Sequence, residues 1–307
     1  MTNQPIDDDT GHRAETGRAT VPGIEDLLHK IHPVLDHGFV RVVDYMGDDG
    51  AIVQAARVSY GRGTKTVRED RGLIRYLMRH QHTTPLEMCE IKLHVKLPIF
   101  VARQWIRHRT ANVNEYSGRY SVLDKEFYIP KPEHLAAQSG TNRQGRAAIL
   151  DGAQAEEVLA LLRTESGRGY SNYLCLLNED EVGNPVDHTR DGLARELARI
   201  GLPLNIYTQW YWKIDLHNLL HFLKLRADAH AQYEIRAYAA VILDIVQKWV
   251  PLAHEAFLDY QLNAVTLSAQ AIETLRRRLL GEKIEFQQSR LSQREWDEIT
   301  VLFGPLN

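Results

Sequence analysis

The 307-residue chain contains only two cysteines, Cys89 and Cys175. Two thiols are too few for a disulfide framework or a thiolate metal cluster, and their scarcity is typical of a reducing compartment. The longest apolar stretch, at residues 239–243, is far shorter than the roughly 20 residues that a membrane span needs. The N-terminus is acidic and polar. We therefore expect a cytoplasmic protein with no membrane partner.

The chain also lacks an excess of charge of either sign. Lys plus Arg is 37 and Asp plus Glu is 40, which gives a net charge of −3 and no global basic field for nucleic acid. No glycine-rich phosphate loop follows a strand pattern, and Gly61-Arg62-Gly63 is a lone, weak match. Any site for an anion must therefore be local, and we expect no nucleic-acid partner.

The composition that remains is that of a folded globular protein, with 44% hydrophobic and 25% charged residues. Residues 1–23 have hardly any large apolar side chain, and we place the end of a polar N-terminal tail at residue 35. Residues 36–265 form the main domain, in which 132–191 is a long helical insertion. Residues 266–307 carry many charges and are expected to form a solvated helical extension.

Hydrophobic periodicity predicts both strands and helices. Residues 90–97 (EIKLHVKL) alternate apolar and polar side chains, which is typical of a half-buried antiparallel strand. Residues 68–80 and 230–249 have apolar residues at helical spacing. Asp215 precedes an apolar helix and is a plausible N-cap. Strands and helices do not alternate strictly, so the sequence predicts an α+β fold with an antiparallel sheet packed against helices.

The densest polar cluster follows an apolar helix face. It comprises Gln104, Arg107, His108, Arg109, Asn112, Asn114, Glu115, Ser117 and Arg119. Arginine side chains fit phosphate oxygens with two parallel hydrogen bonds, and two arginines on different sides of a helix can serve two anionic groups. The alternative is an exposed basic helix end that interacts with the helix dipole. The short polar residues after the arginines favour a binding site.

Two further polar clusters contain histidines. One comprises His217, Asn218, His221, Arg226, Asp228, His230, Gln232 and Glu234. His217 and His221 lie four residues apart on one helix face and could form half of a zinc site, but the glutamate typical of metalloprotease helices is replaced by Asn218. Hydrogen bonding to a planar ligand fits better. The other cluster, His80, His82, Thr84 and Glu87, surrounds a turn and could equally be a capped surface turn.

The arginine cluster carries a specific motif. Arg107-His108-Arg109, seven residues and then Ser117 resemble the RHR-x7-S signature of the flavin-dependent thymidylate synthases. The resemblance extends to residues 55–61 (AARVSYG), 82–87 (HTTPLE), 94–105 (HVKLPIFVARQW), 195–212 (RELARIGLPLNIYTQWYW) and 219–236 (LLHFLKLRADAHAQYEIR). It spans 39–260, except about 132–191, and does not cover the two ends of the chain.

The resemblance implies reductive methylation of deoxyuridylate (dUMP) to thymidylate (dTMP). Methylenetetrahydrofolate would donate the carbon, FAD reduced by NADPH would supply the electrons, and tetrahydrofolate would be released. It also implies a homotetramer whose sites are shared between subunits. Two rival classes are a zinc-dependent hydrolase built on His217 and His221, and a nucleic-acid-binding module, which the net charge disfavours.

The resemblance also assigns residues. The dUMP contacts are Gln104, Arg107, Glu115, Tyr116, Ser117, Gly118, Arg119, Arg199 and Arg226. The FAD contacts are Ser59, His82, Thr84, Glu87, Arg107, His108, Arg109, Asp215, His217 and His221. Arg226 is the catalytic residue, because it is expected to favour the ionised uracil N3. Asp215 and His221 stand where some members have Asn, and Met88 stands where a His often follows the Glu.

Neither cysteine lies in a polar cluster that would lower a thiol pKa, and free cysteines are usually buried. We therefore expect two buried, inert thiols and a reaction at uracil C5 that forms no cysteine adduct.

Overall fold

The computed structural model describes residues 17–58, 67–140 and 145–304. In chain order its elements are α1 (Pro22–Glu25), β1 (Ile31–Val34), β2 (Gly38–Met46), α2 (Asp49–Val58), α3 (Val67–Arg79), β3 (Glu90–Pro98), α4 (Ile99–Trp105), β4 (Asn112–Glu115), β5 (Ala136–Gln138), β6 (Arg146–Ile149), α5 (Gly152–Leu177), α6 (Arg195–Ala198), β7 (Tyr207–Asp215), α7 (Leu216–Arg226), α8 (Tyr233–Trp249), α9 (Pro251–Phe257), α10 (Ala269–Leu279), α11 (Phe286–Ser289) and α12 (Gln293–Phe303). The predicted α+β class is confirmed.

A five-stranded sheet lies in the first of two compact units, which ends at Leu262. Its strands have the order β1-β2-β3-β7-β4, and all neighbours are antiparallel. Val95 in the central strand lies opposite Val40 on one side and Trp210 on the other. All three side chains are buried. Because side chains separated by two residues share a face of a strand, this row continues along the sheet and forms one wall of the core, which α4 and α8 pack against.

Aromatic packing fixes the end of α4 against α7. The ring of Trp105, the last residue of α4, lies 4.7 Å from Phe222 of α7 and 5.1 Å from Trp212 of β7, measured between centroids. All three are fully buried. Replacing Trp105 by Ala would cost about 3–5 kcal/mol of folding stability. This packing places the arginine motif, which begins two residues after α4, beside α7.

The opposite face of β3 is more buried than the alternating pattern predicts. His94 and Lys96 are only 4% and 6% exposed. The His94 Nδ1 lies 3.0 Å from the guanidinium of Arg41, and Lys96 forms an ion pair with Glu126. The expectation of a half-buried strand is therefore wrong at this end, because the polar side chains of the second face are buried and have hydrogen-bond or ion-pair partners.

The N-terminal tail ends earlier than residue 35. Residues 22–25 form α1 and residues 31–34 form β1, which pairs with β2. Ile24 is fully buried and Leu27 is 7% exposed. Pro22 occupies the first turn of α1, where its missing N–H costs nothing. The two apolar residues are one helical turn apart, a signal too short for a periodicity search to register.

The segment 132–191, predicted as a helical insertion, contains β5 and β6, which pair antiparallel and which the sequence did not predict because these strands are short. The 26-residue helix α5 follows. Its N-cap, Asp151, accepts a hydrogen bond of 2.9 Å from the Gln154 N–H. It ends at Asn178, which has a left-handed φ of 55° and whose amide donates to two backbone carbonyls.

Residues Asn263–Asn307 form a separate compact unit. Its described part contains α10, α11 and α12, and Ala271, Leu291 and Ile299 form a small buried cluster of its own. The predicted solvated extension therefore has a core. Across the described parts of the chain, no helix has the length and apolarity of a membrane span.

Candidate active site

Arg226, the last residue of α7, joins two segments that are far apart in sequence. Its Nε donates a hydrogen bond of 3.2 Å to Nε2 of His108, and its Nη2 donates one of 3.4 Å to the backbone oxygen of Gln104. The side chain is half-buried. Two donors fix the plane of the guanidinium, and its remaining N–H groups have no protein acceptor among the described residues. The predicted catalytic arginine is therefore held in place with donors left for a ligand.

His108 is a neutral acceptor in this contact. Burial, followed by the positive charges of Arg226 and His221, lowers the pKa of His108 to about 4. Its ring also packs edge-on against Phe222, with centroids 5.0 Å apart. An uncharged imidazole can accept a hydrogen bond from the Arg226 Nε at its Nε2, whereas an imidazolium cannot. The structure thus gives His108 a contact with Arg226 in addition to the flavin role predicted for it.

Gln104, a predicted nucleotide contact, belongs to a chain of hydrogen bonds. Its Nε2 donates to Oε1 of Gln232, whose Nε2 donates to Glu234 at 2.7 Å. Arg146 donates to both oxygens of Glu234 at 2.7 and 2.8 Å. The sequence placed Gln232 and Glu234 in a polar cluster without giving them a role. It missed Arg146, because a lone arginine in a polar insertion is indistinguishable from a surface residue.

A second group of predicted nucleotide residues lies around Glu196. Arg119 forms a 3.0 Å ion pair with Glu196, and the Arg199 Nε donates to the Glu196 backbone oxygen at 3.4 Å. The Ser117 hydroxyl accepts the Arg119 N–H at 3.3 Å, which shapes the turn between them. Both arginines are exposed. This end of the site therefore presents two exposed guanidinium groups, of which Arg119 is paired with the Glu196 carboxylate.

The residues next to Ser117 are positioned by contacts with Leu123 and with β7. Gly118 is buried, and a Cβ at this position would lie 3.1 Å from the side chain of Leu123. Tyr116 is half-buried and its hydroxyl lies 3.5 Å from the Val122 oxygen. Glu115 is exposed but accepts a 2.8 Å hydrogen bond from the Thr208 hydroxyl of β7. The predicted cluster is therefore a surface segment that contacts β7 and Leu123.

The two groups remain separate within one chain. Arg226 contacts both Gln104 and His108, whereas Arg119 contacts both Ser117 and Glu196, and Arg199 contacts Glu196. Among the described residues, no hydrogen bond or ion pair joins one group to the other.

The residues predicted to hold FAD include unpaired cations. Arg107 and Arg109 are exposed, and neither makes a hydrogen bond or ion pair with the described residues. His217 and His221 likewise make no hydrogen bond there, and the His221 ring lies 5.8 Å from that of His108. Two unpaired guanidinium groups beside planar imidazoles suit a ligand with a pyrophosphate and flat rings. This donor set fits FAD.

The remaining predicted flavin residues are more dispersed. His82 and Thr84 are exposed on the turn after α3, and Glu87 is half-buried in the short 3-10 helix that follows. Asp215 is the N-cap of α7, as predicted, since its Oδ1 accepts the Asn218 N–H at 2.9 Å. Its other oxygen accepts from the Asn218 amide at 2.7 Å, so both oxygens serve the cap. Ser59 lies outside the described residues.

The described residues provide no third ligand for a zinc site built on His217 and His221. Within residues 17–58, 67–140 and 145–304, no group of three or more His, Cys, Asp or Glu side chains is arranged to hold a metal ion. His217 and His221 therefore lack the further ligands that a zinc site needs.

The two cysteines differ in environment. Cys89 is fully buried, and burial, followed by the charges of Asp48 and Asp49, raises the pKa of its thiol to about 12. Cys175 is exposed, so the expectation that both thiols are buried is wrong for this residue. It lies on α5, where residue 175 is on the outward side of a long helix. A thiol as weakly acidic as Cys89 is a poor nucleophile at neutral pH.

Comparison with known proteins gives one consistent result. Residues 41–252 match the family model described as thymidylate synthase complementing protein. The chain is 62% identical to a flavin-dependent thymidylate synthase of Ruegeria pomeroyi, over 97% of this chain and 96% of that protein. It is 57% identical to one of Rickettsia conorii, over 94% of this chain and 99% of the relative.

A solved structure is also similar. It is a UMP/dUMP methylase, PolB from Streptomyces cacaoi, bound with 5-Br UMP. The TM-score is 0.64 and the sequence identity 32%, and the match covers 75% of this chain and 97% of the other. A second structure of PolB, bound with 5-Br dUMP, has the same TM-score at 29% identity. The zinc hydrolase alternative has no support in these comparisons.

Proposed function

Since this chain belongs to the family of flavin-dependent thymidylate synthases, we propose that it converts dUMP to dTMP with methylenetetrahydrofolate as the carbon donor and NADPH as the reductant. The observation that carries the proposal is the contact between Arg226 and His108. It joins the arginine motif to α7 and leaves guanidinium donors free for a ligand. The PolB structures, which contain bound uridine nucleotides, support a nucleotide at this site.

Arg226 supplies positive charge where the reaction needs it. Uracil C5 is a weak nucleophile, and its attack on a one-carbon unit requires negative charge to develop on the N3 and O2 side of the ring. A fixed guanidinium that faces this side stabilises that charge as it forms, so the effect is on the transition state. Because His108 and Gln104 already hold two of its donors, little reorganisation is needed during the reaction.

FAD, when bound, supplies the two electrons that convert the transferred methylene group to a methyl group after NADPH has reduced the flavin. Arg107 and Arg109, which make no hydrogen bond or ion pair with the described residues, have charge available for its pyrophosphate. His217 and His221 offer ring nitrogens to its planar part. His82, Thr84, Glu87 and Ser59 complete the proposed contacts.

The two separate groups of nucleotide residues support a shared site. Gln104 and Arg226 would bind the base of one dUMP, while Ser117, Arg119 and Arg199 of a neighbouring subunit would bind its phosphate. Glu115, Tyr116, Gly118 and Arg107 complete the proposed set. On this basis we propose that each site uses residues from more than one chain, and from the family resemblance that the assembly is a cytoplasmic homotetramer.

The proposal is tested by measuring whether the protein releases tritium from C5 of dUMP in a reaction that depends on FAD. Pure protein would be incubated with C5-tritiated dUMP, methylenetetrahydrofolate and NADPH, with and without FAD. Tritium release that depends on FAD, with tetrahydrofolate as the folate product, is the expected result. Stoichiometric zinc in a protein that neither binds flavin nor releases tritium would refute the proposal.

A further inference from the structure

The insertion at 132–191 reaches the nucleotide site through a buried carboxylate. Glu234 is 3% exposed and accepts hydrogen bonds from three side chains. Arg146 of the insertion donates to both of its oxygens, the Tyr128 hydroxyl donates at 3.1 Å and the Gln232 amide at 2.7 Å. A buried carboxylate with this many donors is both satisfied and fixed in place.

The negative charge on Glu234 determines which group donates and which accepts in the hydrogen bonds that lead through Gln232 to Gln104. Burial alone would raise the pKa of Glu234, but hydrogen bonds from Arg146 and Gln232 hold that pKa below its ordinary value. An ionised carboxylate only accepts, so Gln232 must turn its NH2 group towards Glu234. The oxygen of Gln232 then faces Gln104, which must in turn present its own NH2 group. The Gln104 oxygen is thereby left for a ligand.

We propose that Arg146 is a positioning residue for nucleotide binding, which acts through Glu234 and Gln232 to fix the amide orientation of Gln104. The inference rests on the proposed function, because it takes Gln104 as a contact of dUMP. It assigns a role to the insertion, whose β6 begins at Arg146. The side chain of Arg146 is 38% exposed, so a lysine at this position can keep a partly solvated positive charge beside the buried Glu234 carboxylate.

The experiment is a double-mutant cycle on the dUMP KM. Arg146→Lys keeps a positive charge but cannot donate to both carboxylate oxygens with a planar fork. We expect the dUMP KM to rise about tenfold, with flavin content and melting temperature unchanged and kcat changed less than twofold, since a lost hydrogen bond to a charged group has about this effect. Arg146→Ala should raise the KM further.

Gln232→Met interrupts the chain while the pair between Arg146 and Glu234 stays intact. If Arg146 acts through Gln232, adding Arg146→Lys to Gln232→Met will not raise the KM again. A purely structural role would instead lower stability or the active fraction and leave the KM unchanged. The proposal would be overturned if Arg146→Lys raised the dUMP KM by the same factor in the wild type and in Gln232→Met, or in neither.

A matched control is available on another surface. Arg71 donates two hydrogen bonds to Glu255, at 3.0 and 2.6 Å, and joins α3 to α9. Glu255→Gln removes one charge from that pair, as Glu234→Gln does from the buried one, and only Glu234→Gln should raise the dUMP KM. Wild-type protein that releases no tritium would refute the proposed function together with this inference. Normal turnover with an unchanged KM in the variants would refute the inference alone.

Discussion

The contact between His108 and Arg226 predicts a pH dependence of stability that can be isolated from the other histidines. The pKa of His108 falls from 6.5 to about 4 on folding, through burial and the positive charges of Arg226 and His221. Between these values the unfolded chain binds a proton that the folded chain does not. Folding stability therefore decreases as the pH falls from 6.5, and the loss is complete below about pH 4.

The magnitude follows from the pKa difference. About 1.4 kcal/mol per pKa unit gives an upper bound of about 3.5 kcal/mol for a decrease from 6.5 to 4. His108 is only half-buried, so solvent screening reduces the expected contribution to about 2 kcal/mol. His108→Gln keeps an acceptor for the Arg226 Nε but cannot titrate. Subtracting the variant's stability from that of the wild type removes the contributions of the other titrating groups.

The assay is urea unfolding of both proteins from pH 7.5 to pH 4. The stability of the wild type relative to His108→Gln should be constant above pH 7 and fall by about 2 kcal/mol by pH 4. NMR titration of the His108 ring protons gives a second, direct measurement. A difference that does not change with pH, or a His108 that titrates near 6.5, would refute the view that a neutral imidazole holds Arg226.

Three further predictions concern the reaction. Arg226→Lys keeps a charge but loses the planar fork, so turnover should fall at least tenfold while flavin absorbance is retained; unchanged turnover would remove Arg226 from the mechanism. The Cys89→Ser, Cys175→Ser double variant should keep most of its FAD-dependent tritium release, and a folded, flavin-loaded but inactive variant would contradict a mechanism without a thiol adduct. Mixing inactive Arg226→Ala with inactive Ser117→Ala protein should restore some activity after subunit exchange, whereas a fully active monomer by light scattering would exclude shared sites.

Regular elements were predictable where one residue pattern dominates. The alternation at 90–97 located β3, and Asp215 located the start of α7 because its side chain caps the helix. The sequence missed α1 and the β5–β6 hairpin, since elements of three or four residues are too short for periodicity to rise above composition. It also missed the burial of His94, which depends on Arg41, a residue 53 positions earlier in the chain.

The candidate site was only partly predictable for a similar reason. The RHR-x7-S motif placed Arg107, His108 and Ser117 in one cluster, but spacing along a chain cannot show which of them contact each other. The structure separates Ser117 from His108 and joins His108 to Arg226, which is 118 residues away. Arg146 was missed altogether, because its partner Glu234 is 88 residues distant and only the fold brings them together.

Several arginines of the candidate site have no buried carboxylate partner in the described part of the chain, although the chain as a whole has a net charge of −3. Arg107 and Arg109 have no carboxylate partner among the described residues, and Arg119 has only the exposed Glu196. Such groups repel one another in the free protein, at a cost that water and salt keep small at an exposed surface. Phosphate groups from a nucleotide and a dinucleotide cofactor would remove this repulsion on binding. Arg226 differs, since it is half-buried and its neighbour is a neutral histidine, so its charge stays available for the uracil ring. In the proposed site, the phosphate-binding arginines would therefore contribute to affinity, while Arg226 would contribute to the rate.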